Sequence, residues 1–144
     1  MQHNIPRKLK RRSEEALKEL MSLNATAKHA YLDVRDRAWT EYIAWRQSQE
    51  GKKWYQQKLE DCKHTCPECG ADFHEEKITV DHKHPRSYYP WLAWDKSNLW
   101  LLCSTCNTTK SNKKWDEYLQ AVQLYRGKTA VNRILKQAPS ATGE

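Results

Sequence analysis

Cys66-Pro67-Glu68-Cys69 and Cys103-Ser104-Thr105-Cys106-Asn107 bracket the dipeptide Asp81-His82. Two residues between cysteines let both sulfurs of one turn reach a single tetrahedral ion, and two such turns close a four-thiolate set with no open position. The spacing therefore predicts a structural Zn²⁺ held by Cys66, Cys69, Cys103 and Cys106. A disulfide framework needs an oxidising compartment, and residues 1–22 hold a basic run with no apolar stretch of signal length. Cys62 is the odd cysteine and reads as a free thiol. His64 and His74 flank the first knuckle and read as surface residues rather than ligands.

Between and after the knuckles stand Val80-Asp81-His82-Lys83-His84-Pro85, Ser97-Asn98-Leu99 and Leu102-Cys103-Ser104-Thr105-Cys106-Asn107-Thr108-Thr109-Lys110. With the first knuckle, these four elements resemble, in order, the HNH endonuclease family. The closest likeness is to its zinc-stapled branch with an endonuclease VII-type metal site. The resemblance covers about residues 66–111. It implies an α+β fold of the ββα-metal kind, with a two-stranded hairpin whose second strand carries Asp81-His82 and a helix that begins near the second knuckle. The family's final histidine is Asn107 here, so the triad becomes His82, Asn98, Asn107. The resemblance further implies that Asn98 steadies the His82 segment and that cleavage leaves 5′-phosphate and 3′-hydroxyl ends.

The residues support that chemistry on their own terms. Phosphodiester hydrolysis needs an activated water and neutralisation of charge at the non-bridging and departing oxygens. Mg²⁺ or Mn²⁺ prefers a few protein oxygens and keeps waters, which assigns Asp81 and Asn107 as ligands of a catalytic divalent ion. His82 titrates near neutrality and is assigned as general base. Lys110, on the helical face of Asn107, is a candidate phosphate contact or a solvated charge. His84 reads either as a further group on the metal side or as a loop histidine.

The 144 residues carry a net charge of +7 and 38% hydrophobic residues, and the mean hydropathy is -1.02. Such a chain builds a small core and leans on metal for folding. The basic excess lies in Arg7-Lys8-Leu9-Lys10-Arg11-Arg12, five basic residues in six. This reads as a flexible arm for a polyanion, with Arg86, Lys110, Lys113 and Lys114 as further nucleic-acid contacts. No transmembrane run or glycine-rich phosphate loop occurs, which argues against a membrane protein and an ATPase.

The expected organisation is a basic arm and helical region at 1–60, a nuclease core with the zinc site at 61–115, and a helical extension and tail at 116–144. Ser13 is expected to cap a helix. Tyr31, Val34, Ala38, Tyr42 and Trp45 recur at helical spacing, a stripe that suits core packing or dimerisation, with a break at Gly51. A strand near 71–74 is expected to pair with 77–80 through a turn at Glu75-Glu76. In the loop 83–96, Trp91 and Trp94 are expected to face inward and Arg86 toward DNA. Trp115, Tyr118, Leu119, Val122 and Tyr125 predict a helix stopped at Gly127. A last helix follows from Thr129, with residues 139–144 disordered.

The functional expectation is a DNA-cutting endonuclease dependent on Zn²⁺ and on Mg²⁺ or Mn²⁺, of phage or mobile-element origin. It would be cytoplasmic in a bacterial or phage-infected cell, with DNA as partner and a homodimer or a phage or host protein as further company. The competing readings are a catalytically silent zinc-stabilised DNA-binding or assembly module and a nuclease directed at RNA.

Overall fold

The computed structural model describes residues 7–139. Chain contacts divide it into two units, Met1–Val34 and Arg35–Glu144. The elements are α1 (Arg7–Gln47), α2 (Gln49–Asp61), β1 (Ile78–His82), β2 (Leu99–Cys103), α3 (Ser104–Lys110), α4 (Trp115–Arg126) and α5 (Lys128–Gln137), with single 3₁₀ turns at Pro90–Leu92 and Lys96–Asn98. Of the tail 139–144 expected to be disordered, 140–144 lie outside the described residues.

In the first unit, α1 runs helical from Arg7 with no start at Ser13. The basic run expected as a flexible arm is thus helical from Arg7 to Arg12. The apolar residues Leu17, Leu20, Met21, Leu23, Tyr31 and Val34 of this unit are exposed. The helical stripe turns inward only in the second unit, where Ala38, Tyr42 and Trp45 are buried.

The break after α1 falls at Ser48 rather than at Gly51. The Ser48 hydroxyl donates to the Trp45 carbonyl at 2.6 Å and accepts from the Gly51 amide at 3.1 Å, capping α2. Gly51 is needed one turn later for a different reason. A Cβ there would stand 2.0 Å from the Trp45 carbonyl oxygen, so only glycine lets α2 leave α1 at this angle.

The sheet has two antiparallel strands, with Asp81 opposite Trp100 and His82 opposite Leu99. This corrects the expected hairpin. The Asp81-His82 pair lies on the first strand, and its partner is the apolar run Leu99–Cys103, every residue of which is buried. The segment expected as the partner strand makes only a single bridge, Asp72 to Thr65, which folds back onto the first knuckle. Its sequence alternates too briefly to compete with the continuous Leu99-Trp100-Leu101-Leu102 run, which buries far more apolar surface.

Behind β2 lies the main core, formed by Leu59, Phe73, Trp100, Leu102, Tyr118, Val122, Ala130 and Ile134 together with knuckle cysteines. A smaller cluster joins Tyr42 and Trp45 to Leu99. Helices α4 and α5 follow the expected spacing, divided by Gly127 at φ +87°. No described helix is long and apolar enough to cross a membrane.

Candidate active site and zinc cluster

The first knuckle is closed by backbone geometry. Gly70, at φ +73°, lets its amide reach the Cys66 carbonyl at 2.8 Å. The second knuckle is the start of α3, where Cys103 is the cap and its sulfur accepts from the Cys106 amide at 3.4 Å. Strand β2 delivers Cys103 to the first knuckle, and its amide donates to the Cys66 sulfur at 3.4 Å.

The four Sγ atoms lie within 4.8 Å of one another, with Cys69 and Cys103 at 3.8 Å. Zinc–thiolate bonds of about 2.3 Å in a tetrahedron make an edge of about 3.8 Å. Electrostatics agree with a cation site. The Cys106 thiol donates to Cys66 and holds that thiolate down at about 5, whereas burial pushes Cys103 up to about 11. Cys106 is also pushed up, first by its bond to Cys66. Four thiolates cannot crowd together without a positive charge among them, and a divalent ion supplies it. Cys62 is a buried free thiol whose sulfur donates to the Leu59 carbonyl. His64 and His74 stack on each other at 5.6 Å and stand outside the cluster.

A residue the sequence reading overlooked ties this cluster to the carboxy-terminal helices. Glu68, in the middle of the first knuckle, is fully buried. It accepts from Tyr118 at 2.9 Å and from Arg126 Nε at 2.7 Å. Arg133 grips the Glu68 carbonyl at 2.7 Å. An acidic residue between two zinc cysteines is the only sequence signal, and it does not name its partners.

Along β1 the side chains alternate. Asp81 turns toward α3: its Oδ2 accepts from Trp100 Nε1 at 2.6 Å and meets Lys110 Nζ at 3.1 Å. Burial raises the Asp81 carboxyl, and the Lys110 ammonium opposes that rise. Lys110 is 1% exposed and also donates to the His82 carbonyl at 2.9 Å. It is an internal counter-ion, where the sequence offered a phosphate contact or a solvated charge. Asn107 donates from Nδ2 to Thr79 at 2.9 Å. Its carbonyl oxygen has no hydrogen bond among the described residues.

His82 turns the other way, its ring 5.2 Å from that of Tyr42. Its Nε2 lies 2.6 Å from the Ala93 carbonyl. That carbonyl can only accept, so Nε2 carries the proton and Nδ1 keeps its lone pair. Burial, with smaller contributions from Arg86 and Lys110, lowers the imidazole to about 4 against the raising effect of the Ala93 bond.

Asn98 is fully buried. Its side chain accepts from the His84 amide at 2.8 Å and donates to the carbonyls of His84 and Leu92 at 3.1 and 3.3 Å. Leu92 immediately precedes Ala93, so Asn98 fixes the turn that presents the carbonyl to His82. His84 is buried against Tyr89.

Asp81, His82 and Asn107 line one cavity of about 370 Å³ together with Trp39, Arg86 and Asn112. Arg86 lies 3.8 Å over the Trp39 ring. Lys113 donates to the Thr109 carbonyl, and Lys114 lies over the Tyr88 ring; neither lines this cavity. Trp91 and Trp94, expected inward, are exposed.

Two knuckles converging on four sulfurs, with the Asp-His strand paired antiparallel to the strand that runs into the second knuckle and its helix, form a ββα unit closed by a cluster placed to hold zinc. Residues 66–113 match the family model of HNH endonucleases. This segment, a third of the chain, is similar to the HNH domain. No match was found among the curated proteins or the solved structures. The matched segment holds all four cysteines together with Asp81, His82, Asn98 and Asn107.

Proposed function

We propose that this protein is a metal-dependent endonuclease that hydrolyses DNA phosphodiester bonds, with Zn²⁺ structural at the four cysteines and Mg²⁺ or Mn²⁺ at Asp81 and Asn107. The observation that supports the reading is the cavity lined by Asp81, His82 and Asn107, where the Asn107 amide oxygen has no hydrogen bond among the described residues. The donor set suits a hard ion. The Asp81 carboxylate keeps lone pairs beyond those used by Trp100 and Lys110, and such ions take one or two protein oxygens and retain water.

His82 accepts a proton from water at Nδ1, and its Nε2–H bond to Ala93 holds the ring in the tautomer that can do so. Asn98 is a positioning residue that acts through Leu92 and Ala93. The Lys110 ammonium favours the ionised form of Asp81 against the burial that raises its carboxyl. Thr79 orients the Asn107 amide so that the oxygen is the free end. A bound divalent ion would neutralise the developing charge on the phosphate and the leaving 3′ oxygen, giving 5′-phosphate and 3′-hydroxyl products. Arg86 at the cavity rim, Lys113 and Lys114 after α3, and Arg7, Lys8, Lys10, Arg11 and Arg12 on α1 are proposed DNA contacts. One such site cuts one strand, so a double-strand break calls for a second copy or a second encounter. A phage or mobile element is the proposed source, and a catalytically silent DNA-binding module is the alternative.

The test is incubation of purified protein with supercoiled plasmid. Relaxed or linear product is expected with Mg²⁺ or Mn²⁺ and none in mild chelator. His82→Ala should lower the rate roughly 100-fold or more while zinc content and circular dichroism stay as in the parent. Cleavage at the parent rate by His82→Ala would overturn the base assignment. Binding without cleavage under every ion would favour the silent module.

A further inference from the structure

Trp91 and Trp94 are 55% and 44% exposed, and with Asp95 and Lys96 they line a cavity of about 390 Å³. Indole rings are ordinarily well covered, and here two of them stand outward within four residues. Their backbone is held rigidly from beneath. Pro90, Leu92 and Ala93 are buried, and Asn98 grips the Leu92 carbonyl. The Trp91 ring is fixed edge-on to Tyr89 at 5.8 Å. The backbone that carries the two indoles is therefore preorganised.

Its position relates it to the cavity described above. The Ala93 carbonyl that His82 holds at 2.6 Å belongs to the peptide leading into Trp94. The same turn thus anchors the imidazole on its inner side and displays indoles on its outer side. The charge beside the rings is mixed, Asp95 and Lys96. The Asp95 carboxylate is engaged by the amide and hydroxyl of Ser97 at 2.9 and 2.6 Å. Lys96 brings an ammonium, shared with Glu50, that a phosphate can compete for.

We infer that Trp91 and Trp94 form a stacking site for an unpaired nucleobase, so that the preferred substrate is DNA with unpaired nucleotides beside the scissile phosphate. The inference rests on the nuclease reading only for the word scissile. A base inside a continuous duplex has both faces covered by its neighbours, whereas a bulged or single-stranded base offers a π-face to an indole and its phosphate to a lysine. An aromatic platform therefore selects for interruption of the duplex without reading its sequence.

The experiment uses the full-length protein without added divalent ion and three DNAs carrying 2-aminopurine: a single strand, a duplex with that base bulged, and a fully paired duplex. Quenching of the bulged base and tighter binding of the first two DNAs are expected. Trp91→Leu and Trp94→Leu should each weaken bulge binding roughly 5- to 100-fold and abolish the quenching, with paired-duplex affinity little changed. Trp→Phe at either position should restore most of the loss. Both side chains are exposed, and zinc content confirms that each variant is folded.

Equal affinity of the parent for bulged and paired DNA, or leucine variants that bind and quench as the parent does, overturns the inference. Adding Mg²⁺ then separates the two readings. Cleavage with no preference for the bulge leaves the nuclease and removes the platform. Tryptophan-dependent quenching without cleavage leaves the platform and removes the nuclease.

Discussion

His82 is held neutral by its burial, and this has a consequence for both stability and rate. The free imidazole titrates near 6.5, against about 4 in the fold. Between those values the unfolded chain binds a proton that the folded chain refuses. Stability should therefore be full above about pH 6.5, fall as pH drops toward 4, and level off below. His82→Gln, which cannot titrate, should flatten that window in denaturant titrations at pH 7, 6, 5 and 4. The base should likewise remain available well below neutrality, so an acid limb of the rate profile near 6.5 would count against it. Lys110 offers a second test at this scale. Its ammonium is the counter-ion of the buried Asp81 carboxylate, and removing one partner of such a pair costs about 3–5 kcal/mol. Lys110→Met should lower the thermal midpoint strongly while leaving the salt dependence of DNA binding unchanged. A Lys110→Met protein with the parent's midpoint and a shallower salt slope would instead make Lys110 a phosphate contact.

At the scale of elements, the junction of α1 and α2 shows why a helical pattern does not announce its own ends. Gly51 signals a break, yet the break is made by Ser48, whose hydroxyl caps α2, and Gly51 serves the close approach of the two helices. Ala is ordinarily the better helix former by about 1 kcal/mol. Gly51→Ala should nevertheless destabilise by about 1–3 kcal/mol, because the added methyl meets the Trp45 carbonyl rather than space. The checks are the thermal midpoint and the near-ultraviolet dichroism of Trp45 and Trp54, whose rings meet edge-on at 5.2 Å. The strand pairing carries the same lesson. A strand at 77–80 was recognisable from its alternation, but its partner was decided by which segment could bury more surface, and that segment lies across the long loop.

At the scale of the whole molecule, the zinc cluster joins segments that the chain separates. Cys66 and Cys69 belong to the turn after α2, and Cys103 and Cys106 to the junction of β2 with α3. Glu68 extends the tie to α4 through Tyr118 and Arg126. The cluster sits within the main core, so removing the ion should unfold much of Arg35–Glu144 cooperatively rather than loosen one loop. A strong zinc chelator or Cys103→Ala should release about one zinc per chain and remove most tertiary dichroism. Mild chelation should leave both in place. Retention of the native spectrum after complete zinc loss would show that the apolar core alone suffices.

The four cysteines, the order of the Asp-His and Asn elements and the helical spacing of α4 and α5 were determined by sequence, because each depends on residue type at short separation. Metal-ligand turns, helix periods and glycine stops are local, and local chemistry is written along the chain. What only the tertiary structure decided depends on partners far apart in sequence. Leu99–Cys103 as the partner of β1, Lys110 as the counter-ion of Asp81, Glu68 as a clamp on α4, and the Ala93 carbonyl that orients His82 are all of this kind. So is the outward turn of Trp91 and Trp94, since Leu92 and Ala93 took the buried places in that segment. A side chain's burial depends on which neighbours compete for the same volume, and that competition is settled only when the chain is folded.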